Sequence, residues 1–254
     1  MGNSIQRSVQ EGGEIFEALR PEFARIAREN GLESEKVRIV AQPLTPEEAI
    51  GRPEELDYPL LKGKERLMQA KLKGTPGQAF TDMFGEYEGT IWDILSGELR
   101  TNFHRAVFIS ALNAAMNHVG LIDKAVHCKD QEPRQCSLEL VGYLRETFGQ
   151  PKIAMAGFQP RMVEALSKAF RLRVTDLDPD NIGKEKFGVP IEGSRKTRDN
   201  LLWCDVVLIT GTTLVNDTIG EFLIQKPRIF YGITISGAAK ILELNHFCAC
   251  GMKR

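Results

Sequence analysis

The sequence predicts an α/β protein in which a small α+β domain precedes a domain built on a parallel sheet. Two textures in the chain predict it. From about Gln150 onward, short apolar runs alternate with helical segments, as in a parallel sheet covered on both faces. Before that point the pattern is helix, strand, hairpin and helix, with no such alternation. The length of 254 residues accommodates two modest domains, divided as 1–96 and 97–254.

The elements follow in order. Glu14 to Asn30 places Ile15, Phe16, Leu19, Phe23 and Ile26 at helical spacing and stops at Asn30-Gly31, with a kink or restart expected at Pro21. Val37 to Ala41 reads as a strand, and the stretch with Pro43, Pro46, Gly51 and Pro53 as a loop. Glu65 to Lys73 and Gln78 to Thr81 read as a hairpin around Lys73-Gly-Thr-Pro-Gly77. Thr90 to Gly97 and Phe103 to His118 read as helices, the second with Asn113 and Asn117 on one face. Then come a strand at Lys152 to Ala156, a helix at Pro160 to Phe170, and strands at Leu172 to Leu177, Asp205 to Thr210 and Arg228 to Thr234. Cys248-Ala-Cys250 is expected on a last strand, both thiols on one face.

Composition excludes several classes. The chain is 42% hydrophobic and 26% charged, close to an average globular protein. Its 33 Lys and Arg balance 34 Asp and Glu, so no global basic field attracts nucleic acid or an anionic membrane. No apolar run approaches the roughly 18 residues of a membrane span, and the start lacks a secretory core, which makes cytoplasmic the expected location. The five cysteines follow no disulfide framework and are expected to be reduced. The expected partner is a small molecule or a metal, with homo-oligomerisation left open. No GxSxG, HExxH or GxxxxGK[ST] occurs, which lowers the hydrolase and phosphoryl-transfer readings.

Ligands of open parallel sheets bind beyond the carboxyl ends of the strands. Three loops stand there. Gly157-Phe158-Gln159-Pro160 permits close backbone approach and opens a helix with Pro160. Asp176 and Asp178 stand near 20 residues beyond the first glycine, where a ribose is usually held, or else they cap the following turn. The third, Thr210-Gly211-Thr212-Thr213 to Asn216, stacks more short polar groups than a helix cap uses, and Thr234 and Ser236 follow the next strand. With no diphosphate-binding glycine pattern, an S-adenosylmethionine-like nucleoside fits better than NAD. Lys64 with Glu65 offers an anion contact or a solvated turn. His127, Cys128 and Cys136 form a separate set that suits a soft metal ion or simply packs.

Five segments together carry a resemblance: Val126-His-Cys-Lys-Asp-Gln-Glu-Pro-Arg-Gln-Cys136, Gly157-Phe-Gln-Pro160, Asp176-Leu-Asp-Pro-Asp-Asn-Ile-Gly183, Thr210-Gly-Thr-Thr-Leu-Val-Asn216 and Phe230-Tyr-Gly-Ile-Thr-Ile-Ser-Gly237. With them the chain resembles the heavy-metal-chelation domain family. The segments Pro59-Leu-Leu-Lys-Gly-Lys-Glu65 and Gly77-Gln-Ala-Phe-Thr81 look like its N-terminal part. The resemblance implies an enolase N-terminal-like domain followed by a Rossmann-like domain, a ligand site in the cleft between them, and a role in heavy-metal handling or chelator metabolism. It implies no established reaction. An enzyme acting on a small molecule with a nucleoside-like or anionic ligand, and a non-catalytic binder of a metal or metal complex, both remain open.

Overall fold

A computed structural model describes residues 12–34, 38–62 and 65–250. Lys64 and the expected strand start at Val37 lie outside them. The strands are β1 (Arg38–Pro43), β2 (Arg66–Leu72), β3 (Thr75–Thr81), β4 (Tyr87–Thr90), β5 (Lys152–Ala156), β6 (Arg171–Asp176), β7 (Glu185–Lys186), β8 (Val189–Gly193), β9 (Val206–Thr210), β10 (Arg228–Tyr231) and β11 (His246–Phe247). They form two separate sheets, one antiparallel in the order β3-β2-β1-β4 and one in the order β11-β10-β9-β5-β6-β8-β7. In the second sheet every pairing is parallel except β7 with β8. The two textures read in the sequence therefore correspond to two sheets.

Period-two alternation explains why the central parallel strands β5 and β9 are apolar along most of their length. Ile153, Met155, Val206 and Leu208 enter one core cluster, while Ala154, Ala156, Val207 and Ile209 enter another on the opposite face. That second cluster is shared with the antiparallel sheet through the helix Asn102–His118, which is buried along Arg105 to Asn117. Its small residues let β3 approach closely: a Cβ at Gly77 would lie 2.0 Å from the Ala114 backbone nitrogen. Asn113 and Asn117 pin that contact, donating to the carbonyls of Gln78 at 2.8 Å and Pro76 at 2.9 Å, while Asn113 Oδ1 accepts from Gly237 N at 2.8 Å. The two asparagines thus satisfy buried backbone groups of β3 and of the segment that follows β10.

Several local expectations change. The helix Gly12–Glu29 runs through Pro21 without a break. Its Phe16 and Phe23 meet Phe108 edge-on at 5.7 and 5.5 Å, so it packs on the long helix rather than on the antiparallel sheet. The Pro-rich stretch contains a helix, Pro46–Ile50, started by a capping box between Thr45 and Glu48. β10 stops at Tyr231 because Gly232 adopts a φ of 85°. The last strand is only His246–Phe247, so Cys248 and Cys250 follow it rather than lie on it. Among the described residues no helix is long and apolar enough to cross a membrane.

Candidate functional site

The parallel sheet reverses its winding at β5: β6 and β8 lie to one side, and β9, β10 and β11 to the other. Loops leaving β5 and β9 diverge, which opens a crevice at their carboxyl ends. Gly157 makes the crevice walls meet closely. Its φ is 91°, and a Cβ there would lie 2.7 Å from Thr210 Cγ2. The buried Tyr231 hydroxyl stands 3.0 Å from the Ala156 carbonyl and 2.9 Å from that of Gly157, tying β10 to the first loop.

Above this crevice lies a cavity of about 700 Å³, walled on its other side by Phe80 of β3 and by Ile50, Tyr58, Pro59, Leu60 and Glu65. It brings together Glu65, Gly157, Gln159, Pro160, Asp176, Asp178, Thr210, Gly211, Thr212, Asn216 and Thr234. His127, Cys128 and Cys136 line the same cavity, so the two constellations seen separately in the sequence share one space. Ser236 does not line it; the residue is buried and its hydroxyl finds no partner among the described residues. Asp82, Asn102, Tyr231, Glu221 and Cys248 line the cavity unanticipated. Asp82 directly follows the Gly77 to Thr81 segment, a signal in plain view. Asn102 carried none.

Much of the polar lining is held by its own loops. Asp176 Oδ2 accepts from Phe158 N at 3.0 Å and from Asn181 Nδ2 at 3.3 Å, and Oδ1 accepts from Asp178 N at 2.8 Å. Turn capping therefore occupies part of this carboxylate. Gln159 Oε1 caps the helix Pro160–Ala169, accepting from Met162 N at 2.6 Å. Thr212 Oγ1 lies 3.1 Å from Thr210 Oγ1, and Thr213 donates to the Thr210 carbonyl at 2.7 Å. Thr234 accepts from Phe80 N at 3.0 Å, a bond that joins β3 to the turn after β10. Asn102 Nδ2 reaches Asp82 Oδ1 at 2.7 Å and Asn216 Oδ1 at 3.2 Å. Buried Arg105 fixes Asn102 from behind, and its Nε donates to the Val215 carbonyl at 2.6 Å.

The cavity's charge is one-sided. Glu65, Asp82, Asp176, Asp178 and Glu221 line it, and among the described residues no Lys or Arg does. Burial, reinforced by Asp176, Asp82 and Asp178, pushes the Glu65 carboxyl up to about 7. Burial also raises Asp176, against the backbone donors of Asp178 and Phe158 that favour its ionised form. At the other flank burial pushes the His127 imidazole down to about 4 and raises the Cys128 and Cys136 thiols. His127 Nδ1 is buried and has no hydrogen-bond partner among the described residues. Sharing a wall does not make His127, Cys128 and Cys136 a ligand set: among the described residues no three His, Cys, Asp or Glu groups converge to hold a metal ion.

A cleft of this kind, at the winding reversal of a mostly parallel sheet and faced by an antiparallel sheet, defines a two-sheet α/β protein with a cavity between its sheets. The chain is similar to the DUF364 family, whose model, described as "Putative heavy-metal chelation", matches residues 140–243. The family resemblance read in the sequence is borne out. A solved structure from Pyrococcus horikoshii is 13% identical with a TM-score of 0.52, the alignment covering 87% of this chain and 79% of that one. Another, from Desulfitobacterium hafniense DCB-2, is 14% identical with a TM-score of 0.52, covering 91% of this chain and 82% of that one. Both are described as DUF364 proteins of unknown function, and at such identities the likeness shows the fold alone. No curated protein matches the chain.

Proposed function

We propose that the cavity is the active site of a small-molecule enzyme whose ligand carries a positively charged centre, with the hydroxyl-rich loop Thr210 to Asn216 holding a nucleoside-like portion. The observation that carries this reading is the set of five carboxylates on a wall without Lys or Arg among the described residues. An anionic ligand would add to the negative charge of these acids in a partly desolvated space, whereas a cation relieves the repulsion that Asp176, Asp82 and Asp178 exert on Glu65. The charge therefore favours a cationic over an anionic nucleoside. S-adenosylmethionine, a nucleoside with a sulfonium, is the cofactor class that combines both features.

Glu65 supplies the enzymatic part. A carboxyl poised near neutrality can give or take a proton at physiological pH, and such perturbed groups concentrate in catalytic clefts. Asp176, tied down by backbone donors, serves as the fixed negative charge beside it. In the alternative reading, a non-catalytic binder of a metal or metal complex, the cavity would hold the complex through His127, Cys128 and Cys136; the family description speaks for it, and the lack of a converging ligand set among the described residues speaks against it. Mass spectrometry of small molecules released from the protein as purified tests the choice. An organic cation is expected, and a phosphorylated or other polyanionic compound in stoichiometric amount would overturn the reading.

A further inference from the structure

The hydrogen-bonding polarity of one cavity side chain, Asn216, is decided by a cation that stands behind it. Arg105 is buried, and a guanidinium can only donate. Its Nε donates to the Val215 carbonyl at 2.6 Å, its Nη1 to the Leu99 carbonyl at 2.7 Å, and its Nη2 to Asn102 Oδ1. The Asn102 amide therefore cannot turn over, because its oxygen must face Arg105 and its NH2 must face away. That NH2 donates to Asp82 Oδ1 at 2.7 Å and to Asn216 Oδ1 at 3.2 Å. The constraint passes on to Asn216, whose oxygen is now committed. Asn216 lines the cavity, and its Nδ2 donates to no group among the described residues.

Asp82, bonded to the same Asn102 nitrogen through Oδ1 alone, lines the cavity as well. One asparagine thus brings together an acceptor that directly follows β3 and a donor from the loop after β9. Neither can exchange roles. A carboxylate only accepts, and turning the Asn216 amide would set its NH2 against that of Asn102.

Purine bases divide by this polarity. A 6-aminopurine carries an exocyclic NH2 between N1 and N7, both of which accept, so either edge offers a donor to Asp82 beside an acceptor for Asn216. A 6-oxopurine offers two acceptors on its N7 edge, and on its N1 edge an acceptor and a donor in exchanged places. In the same pose it opposes like groups, and a site built on such bonds rejects the analogue that leaves them unmade.

We propose that Asp82 and Asn216, held in place by Asn102 and Arg105, read the edge of an aminopurine base and exclude its oxo counterpart. The inference rests on the nucleoside portion of the function proposed above and names the base which that portion carries. Asn102 and Arg105 are positioning residues, because they act through Asn216 and Asp82.

Calorimetric titration of the full chain at pH 7 with 5′-methylthioadenosine and 5′-methylthioinosine tests it, since both nucleosides are uncharged and they differ only at the purine edge. The aminopurine compound is expected to bind about tenfold or more tightly. Asn216→Asp keeps an acceptor for Asn102 but replaces the donor on the cavity side by a second acceptor. It should weaken the aminopurine compound about tenfold and abolish the preference. Asn102→Ala frees the Asn216 amide to turn, so it should narrow the preference without weakening the oxopurine compound, whereas general loosening would weaken both alike. Should Asn102→Ala fail to fold, Asn216→Asp carries the test, because it retains the bond to Asn102. Equal affinities in the wild-type protein, or an unchanged preference in a folded variant, would overturn the base reading and leave the cavity a nucleoside site. No binding of either compound would overturn it together with the nucleoside portion of the proposed function.

Discussion

The two flanks of the cavity solve the same problem by opposite means. At the carboxylate flank, Asp176, Gln159 and the threonines are engaged by backbone groups of their own loops, so polar atoms are fixed before any ligand arrives. At the sulfur and imidazole flank the side chains are held mainly by burial, with the His127 backbone donating to Gln78 Oε1 at 2.7 Å, and among the described residues His127 Nδ1 has no hydrogen-bond partner. Desolvation pushes every perturbed group toward its neutral form: Glu65 upward, His127 downward, Cys128 and Cys136 upward. Only the carboxylate flank retains fixed charge, because Asp176 has donors that oppose its desolvation. A cavity can thus be anionic at one end and uncharged at the other while being partly desolvated throughout.

The largest expected effect comes from breaking the clamp that ties Glu55 and Asp57 to the helix Pro160–Ala169. The Arg161 side chain is 6% exposed and pairs with Asp57 at 2.7 Å, Glu164 at 2.7 Å and Glu55 at 3.3 Å. Glu55 keeps Arg134 and Glu164 keeps Lys168, so Arg161→Ala should cost about 3 kcal/mol in denaturant unfolding, the lower end for breaking a buried pair, and speed proteolysis within residues 52–58.

Next come two pH dependences of opposite sign. Glu65 holds its proton to about 7 in the folded chain against an ordinary value of 4.5, so the folded state binds more protons between those values. Its contribution to stability therefore falls as pH rises from about 4.5 to about 7 and stays lost above. His127 titrates near 4 rather than 6.5, so the unfolded state binds more protons in that window and stability falls as pH drops from about 6.5 through 4. Each effect is on the order of 2–3 kcal/mol, and in the wild-type protein they offset one another in the shared range. Chemical denaturation across pH 4 to 7.5 should show Glu65→Gln losing stability on acidification and His127→Gln gaining it. Identical profiles for the two variants would erase the contrast between the flanks.

A smaller effect is expected at Asp176. Asp176→Ala leaves Phe158 N and Asp178 N without their acceptor and should lower stability by about 1–2 kcal/mol, measured by thermal unfolding. It should also weaken S-adenosylmethionine about tenfold or more, through lost charge and a loosened loop.

What the sequence disclosed follows the same physics. Strands buried on both faces announce themselves as apolar runs, so β5, β9 and β10 were legible, as was the cleft at their carboxyl ends, while β6 was found by its alternation and its acidic end. The edge pair β7 and β8 was not: Glu185 and Pro190 face solvent, and neither strand forms an apolar run. The helix Pro46–Ile50 was hidden among prolines although its capping box, Thr45 to Glu48, could have been found. The meeting of His127, Cys128 and Cys136 with Glu65 and Asp176 required the antiparallel unit to fold back over the parallel sheet, which no local spacing encodes. The charge of the cavity was missed for the same reason: Asp82 and Glu221 are ordinary acidic residues until the fold brings them to one wall.

The central claim is that this wall selects a positive charge. Calorimetric titration with S-adenosylmethionine and with S-adenosylhomocysteine, which differ by one methyl group and the sulfonium charge it creates, tests that claim most directly. The account predicts that the sulfonium compound binds about tenfold or more tightly at pH 8 and that Glu65→Gln narrows the gap, since one carboxylate then no longer contributes. Equal affinities, or tighter binding of the uncharged sulfide, would contradict it.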